Sequence, residues 1–118
     1  MTTQTETREA LLVQRLIRET CRRAHDTPVL EVKIAAAKCA GLDEGLVRFY
    51  WDRYAADTVC QGAHITYRRV PFIQECPYCG YTFASRKQNV PCPRCRAGHT
   101  ATLMGDDCAI VEDLTLAA

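Results

Sequence analysis

Two pairs of cysteines constrain this chain more than any other feature. Cys76-Pro77-Tyr78-Cys79 is followed, twelve residues on, by Cys92-Pro93-Arg94-Cys95. A Cys-x-x-Cys turn aims both sulfurs at one point. Twelve residues suffice for a hairpin that brings the second turn back to the first. Four thiolates then close a tetrahedral zinc site. A site closed by four protein sulfurs keeps no open coordination position, so its role is structural. Two disulfides, or a dithiol redox pair, are the competing readings. A redox pair normally occurs singly, between a strand and a helix, which disfavours it here.

The other four of the eight cysteines, Cys21, Cys39, Cys60 and Cys108, stand without ligand spacing. They read as small core residues. Met1 to Arg8 is polar with no apolar segment after it, so no secretory signal is expected. No apolar run approaches the ~20 residues of a membrane span. A cytoplasmic location, where thiols stay reduced, is the expectation. With 118 residues and 47% apolar side chains, there is room for one modest core and a mini-domain. The formal net charge of +1 lacks the basic excess of a dedicated nucleic-acid binder.

Leu12, Val13, Leu16, Ile17, Thr20 and Ala24 fall at helical spacing from Thr7 onward, with Arg15, Arg18, Arg22 and Arg23 outside them. Asp26-Thr27-Pro28 stops that helix. Leu30, Val32, Ile34 and Ala36 alternate with Glu31 and Lys33 as a half-buried strand. Cys39-Ala40-Gly41 reads as a loop. Asp43 caps a second helix reaching about Ala56, with Leu46, Val47, Tyr50, Trp51 and Tyr54 on one face. A second strand places Ala63, Ile65 and Tyr67 inward, and Pro71 ends it. After the cysteines come a short strand at Ala101 to Met104, a turn at Gly105-Asp106-Asp107, and a closing strand from Ala109 to Leu116 using Ile110, Leu114 and Leu116.

Two strands alone are marginal, so the last strand is expected back in the first sheet. The expected fold is α+β: two helices on a small three-stranded sheet, with an inserted zinc-ribbon domain. The expected boundaries are residues 1–70 plus 108–118 for the discontinuous α+β domain and 71–107 for the ribbon. Zinc supplies a small insert with folding free energy on the order of 10 kcal/mol. Arg86, Lys87, Arg94 and Arg96 read as cations that offset the doubly negative tetrathiolate centre, the competing reading being a phosphate or nucleic-acid contact. Tyr78, Tyr81 and Phe83 are expected to pack under it.

These pieces, in this order, resemble the HypA/HybF family of hydrogenase maturation proteins. The resemblance rests on Val29-Leu-Glu-Val-Lys-Ile34 through Gly41 to Leu46-Val-Arg-Phe49, on Gly62-Ala-His-Ile-Thr-Tyr67 with Val70-Pro71, and on Cys76-Pro-Tyr-Cys-Gly-Tyr-Thr-Phe83 with Cys92-Pro-Arg-Cys95 and the closing strand. It implies a non-enzymatic metallochaperone that serves a nickel enzyme such as [NiFe] hydrogenase. The implied partners are the hydrogenase large subunit and the GTPase HypB. The implied metals are structural zinc at Cys76, Cys79, Cys92 and Cys95, and nickel. The family holds its nickel at a Met-His-Glu start. Here Thr7-Arg8-Glu9 aligns with that motif, so Glu9 matches and Arg8 stands where the histidine belongs. Square-planar Ni(II) needs an imidazole, and an always-protonated guanidinium cannot replace one. The residues ahead of Thr7 also separate the terminal amine from the helix start. His25, His64 and His99 show no mutual ligand spacing. The alternative reading is a zinc ribbon acting as a nucleic-acid-binding or structural adaptor module.

Overall fold

A computed structural model describes residues 7–38, 41–104 and 108–117. Helix α1 (Arg8–Ala24) starts at Thr7, whose hydroxyl accepts the Ala10 amide hydrogen at 3.1 Å and satisfies one orphan donor of the first turn. The apolar stripe expected at helical spacing is buried throughout: Leu12, Val13, Leu16, Ile17, Thr20 and Ala24. The one hydroxyl in that stripe is satisfied internally, Thr20 Oγ1 donating to the Leu16 carbonyl at 2.8 Å. Helix α2 (Glu44–Ala55) is capped by Asp43, which accepts from Leu46 N at 3.1 Å. Val47, Trp51 and Ala55 form its buried edge. The Trp51 indole N–H finds no acceptor among the described residues.

The main sheet has the order β2 (His64–Val70), β1 (Val29–Ala37), β6 (Ala109–Leu116). β1 runs parallel to β2, from Glu31 beside His64 to Ala37 beside Val70. A parallel neighbour needs a crossover, and α2 provides it. β6 returns antiparallel on the other side of β1, as expected of the last strand. Two guanidinium groups fasten α1 to β6: Arg15 Nη2 donates to Ala109 O at 3.1 Å and Arg23 Nη1 to Val111 O at 3.3 Å.

Alternation in β1 departs from the expected pattern at Leu30. The register with β6 steps two residues on β1, Val29 to Glu31, against one on β6, Leu116 to Thr115. Leu30 is the extra residue of a bulge and turns outward, 54% exposed, while Val29 takes the core position. A second shift between Lys33 and Ile34 leaves Glu112 as the extra residue on β6 and restores the phase. Ala35 and Ala37 are also buried, because the other face of this end of β1 is covered by β3 (Phe72–Glu75). Leu116 was expected to make an apolar contact; it is the last residue of an edge strand, paired with Val29, and its side chain is exposed.

The residues between β2 and β6 form a second sheet of order β4 (Thr82–Ser85), β3, β5 (Ala101–Thr102). β3 and β4 are antiparallel partners around Cys76 and Cys79, so the hairpin encloses the first cysteine pair. The short strand expected to reach Met104 ends at Thr102, and Met104 is exposed. The two sheets share a core: Ile73 of β3 is fully buried with Val32, Ile34, Val70 and Ile110. The loop expected at residues 39–40 and the turn at 105–107 lie outside the described residues, as does Cys39.

Candidate metal centre

The sulfurs of Cys76, Cys79, Cys92 and Cys95 all lie within 4.8 Å of one another, the one cluster of its kind among the described residues. Cys76 and Cys95 sulfurs are 3.4 Å apart, and those of Cys79 and Cys92 are 3.7 Å apart. A tetrahedron with Zn–S bonds of about 2.3 Å has sulfur–sulfur edges of about 3.8 Å, so the donor set and its spacing fit zinc. In each pair the first cysteine is buried and the second is exposed.

The two turns are built alike. Cys76 donates its amide to Tyr81 O at 2.9 Å and accepts from Gly80 N at 2.9 Å; Cys92 donates to Ala97 O at 3.0 Å and accepts from Arg96 N at 2.9 Å. Both turns require a left-handed residue just past the second cysteine. Gly80 takes φ +76° and Arg96 takes φ +66°. Amide hydrogens converge on the buried sulfurs: Arg94 N and Cys95 N each lie 3.4 Å from Cys92 Sγ. Burial by itself pushes the Cys92 thiol up, but those amides and the neighbouring thiols outweigh it and bring the group to about 6. Cys76 moves down for the same balance of reasons, with the Cys79 and Tyr78 amides opposing burial. For Cys95 the Ala97 amide pulls down, but its contacts with the Cys76, Cys79 and Cys92 thiols, together with partial desolvation, prevail, and it rises to about 12. Four converging thiols of this kind suit a centre that a dication completes.

Around the sulfurs, Arg94 of the second turn lies over the Tyr81 ring of the first, 4.3 Å from its centroid. Tyr81 stacks on Phe83 at 5.5 Å. These two aromatics are half-buried as expected; Tyr78, expected beneath the centre, points to solvent at 74% exposure. His99 is exposed and contributes nothing to the cluster; His25 and His64 are exposed on the other elements.

Sequence reasoning missed the polar core beneath the turns. Gln74 is fully buried. Its amide nitrogen donates to Thr102 Oγ1 at 2.8 Å, and its oxygen accepts from Asn89 N at 3.0 Å and lies 3.1 Å from the Thr100 hydroxyl. Asn89 Nδ2 in turn donates to Thr100 O at 2.8 Å. Gln74 therefore ties β3 to β5 and to the chain that leads into the second cysteine pair. Glu9 also acquires a role that its position alone did not reveal. It is buried, and its carboxylate accepts from Asp43 N at 2.9 Å, joining the start of α1 to the start of α2. Arg8, in the histidine position of the resemblance, is the exposed first residue of α1. A mixed-charge cleft of about 1050 Å³ separates α1 from the ribbon, with Arg18, Glu19, Cys79, Tyr81, Arg94 and Glu112 among its walls.

Known proteins share this arrangement. The family described as "Hydrogenase/urease nickel incorporation, metallochaperone, hypA" matches residues 7–114. A hydrogenase maturation factor HypA from Geobacter metallireducens is 30% identical over 84 residues, covering 71% of this chain and 76% of that protein. The protein of the same name from Actinobacillus succinogenes is 27% identical over 97 residues, covering 82% of this chain and 86% of that protein. For the one from Dehalococcoides mccartyi the match is 27% over 79 residues and spans 67% of this chain and 66% of that relative. The solution structure of the Ni metallochaperone HypA from Helicobacter pylori superimposes with a TM-score of 0.58 at 16% identity, covering 93% of this chain and 97% of that one. At that identity the likeness speaks for the fold.

Proposed function

The chain belongs to the HypA family, and from that premise we propose that it is a maturation accessory protein of the metallochaperone kind. It serves a nickel enzyme such as [NiFe] hydrogenase by holding metal and docking to other proteins, with no catalytic step of its own. The observation that carries this reading is the extent of the family match, which runs from the capping Thr7 through the helices, both cysteine pairs and most of β6. A ribbon shared with unrelated zinc proteins would match over the cysteines alone, so the nucleic-acid alternative is not favoured.

In this reading Cys76, Cys79, Cys92 and Cys95 hold a structural zinc ion. The sulfur spacing and the converging amides support that assignment. The chain divides into residues 1–70 with 108–118, and residues 71–107; the separate strand sets of the two sheets support the division. The partners are a hydrogenase-like large subunit and a HypB-like GTPase, and the protein works in the cytoplasm. No helix of the described residues is long and apolar enough to cross a membrane.

Nickel handling differs from the family pattern chiefly at Arg8, which stands in the histidine position. The guanidinium of Arg8 does not offer Ni(II) the lone pair that an imidazole would. Isothermal titration of Ni²⁺ into zinc-loaded protein, run beside the Arg8→His variant, tests this. The expected result is weak or no binding by the native chain and a gain with histidine. Tight stoichiometric binding by the native chain would overturn the altered-site reading. The wider function is tested by co-purification with a hydrogenase large-subunit precursor and with the GTPase; failure with both sinks it.

A further inference from the structure

Away from the metal centre, two thiols meet inside the main core. Cys21 Sγ and Cys60 Sγ are 3.7 Å apart. Cys21 belongs to the last turns of α1 and is half-buried; Cys60 is fully buried in the turn between α2 and β2. That turn is held firmly. Thr58 Oγ1 donates to Ala55 O at 2.7 Å and accepts from Cys60 N at 3.0 Å, Ala63 N donates to Cys60 O at 3.0 Å, and Val29 N donates to Val59 O at 2.8 Å. Cys60 is thus presented to α1 by fixed backbone. A disulfide requires a sulfur separation of about 2.05 Å, so the 3.7 Å contact has to shorten by less than about 2 Å. Cys108, the other described cysteine outside the metal centre, instead donates its S–H to Leu103 O at 3.0 Å.

We propose that Cys21 and Cys60 form an oxidation site, at which a peroxide converts the thiol pair into a disulfide joining the end of α1 to the turn that leads into β2. Burial assigns the order of events. Cys21 reaches solvent, so its thiolate attacks one peroxide oxygen. The O–O bond breaks, Cys21 becomes a sulfenic acid, and the departing hydroxide leaves as water with the thiol's proton. Cys60 sulfur then attacks Cys21 sulfur; the S–S bond forms, the S–O bond breaks, and the hydroxyl leaves as a second water with the Cys60 proton. Two thiols are oxidised to one disulfide while hydrogen peroxide is reduced to two waters. Burial, with the neighbouring Cys21 thiol, pushes the Cys60 thiol up to about 12. Cys60 is also fully buried, which shields it from direct oxidation, and its sulfur touches only that of Cys21 among the described thiols, which makes it the resolving partner. The oxidised form ties α1 at both ends: Glu9 to Asp43 at its start and the disulfide near its finish.

The test uses the full zinc-loaded chain, treated with limiting hydrogen peroxide, alkylated, and digested with trypsin without reduction. The expected product is peptide 19–22 linked to peptide 54–68, lighter than the two together by two hydrogens. The thermal midpoint should rise by about 5–10 °C and fall back on adding a thiol reductant. Cys21→Ser should abolish both the link and the shift. Cys60→Ala should leave Cys21 trapped as a sulfenic acid that a cyclic 1,3-diketone captures. The proposal is overturned if both thiols are still alkylated after the zinc-ligand sulfurs have been oxidised. It is equally overturned if Cys21 is recovered bound to a cysteine other than Cys60, or if the link appears only after the fold is lost.

Discussion

At the residue scale, the two cysteine turns have the same hydrogen bonds but not the same residue at the left-handed position. Gly80 adopts φ +76° at no steric cost, whereas Arg96 holds φ +66° with a Cβ that crowds the carbonyl. Gly80→Ala meets no atom within 4 Å, so its penalty is conformational alone. It should lower the stability of the zinc-loaded protein by about 1 kcal/mol in denaturant unfolding. Arg96→Gly relieves the same strain but adds chain entropy to the unfolded state, so the expected net gain is smaller, about 0.5 kcal/mol. If Arg96→Gly proves clearly destabilising, the cation's position beside the thiolates matters more than its backbone. Gln74 offers a sharper case. Replacing it with leucine keeps the bulk but strips partners from Asn89 N and Thr102, while the Thr100 hydroxyl keeps the Val90 carbonyl at 2.8 Å. Each buried polar group left alone costs about 1–3 kcal/mol, so Gln74→Leu should cost at least about 2 kcal/mol by the same measurement. Nothing in the sequence distinguished Gln74 from an exposed strand residue, because a side chain's burial depends on partners fifteen to twenty-eight positions away.

At the scale of elements, α1 depends on how its first turn is fastened. The Thr7 hydroxyl takes one orphan amide and the Glu9 carboxylate reaches across to Asp43. Thr7→Ala should cost about 1 kcal/mol, seen as a lower unfolding midpoint without change in the slope against denaturant. Glu9→Gln keeps an acceptor for the Asp43 amide and should be milder than Glu9→Ala; equal losses would show that the bridge contributes nothing. The elements legible in the sequence were those with long or repeated signals. The stripe from Leu12 to Ala24 repeats over several turns, and the cap and stop residues frame it. The cysteine spacing fixed the four sulfurs before any geometry was known. β1 was legible as a strand, but not its inward residues near Val29, since a bulge reverses parity with no mark in the local pattern. β3 and β4 are only four residues each, too short for alternation to stand out, and their pairing is set by the cysteine turn between them. Trp51 and its helix were legible from the aromatic face, and Phe49, which lies off that face, is exposed.

For the molecule as a whole, the question is how far the zinc-bearing sheet stands by itself. Its strands pair only with one another, yet Ile73 lies in the main core and Leu103 packs against that core. Arg68 of β2 and Glu112 of β6 meet across β1 in a two-bond ion pair at 2.8 and 2.7 Å, closing the sheet whose two edge strands bracket the insert. The main sheet and both helices thus have their own hydrogen bonds and apolar contacts, whereas the cysteine turns have short-range backbone bonds, the polar network around Gln74 and the sulfurs. A small module of this kind draws on the order of 10 kcal/mol from its metal, more than its remaining contacts can replace. Stripping zinc with a strong chelator should therefore release the ribbon while most of the α+β fold persists. Hydrogen exchange resolves the two outcomes directly. Amides of Cys76, Gly80, Cys92 and Arg96 should lose protection on chelation, while those within α1 and β1 keep most of theirs, with a partial loss at β3 where Ile73 anchors the ribbon. Loss of protection everywhere at once would mean that zinc supports one cooperative unit and that the proposed division at residues 70 and 108 has no energetic basis. Unchanged protection at the cysteine turns would remove zinc from the account of their stability.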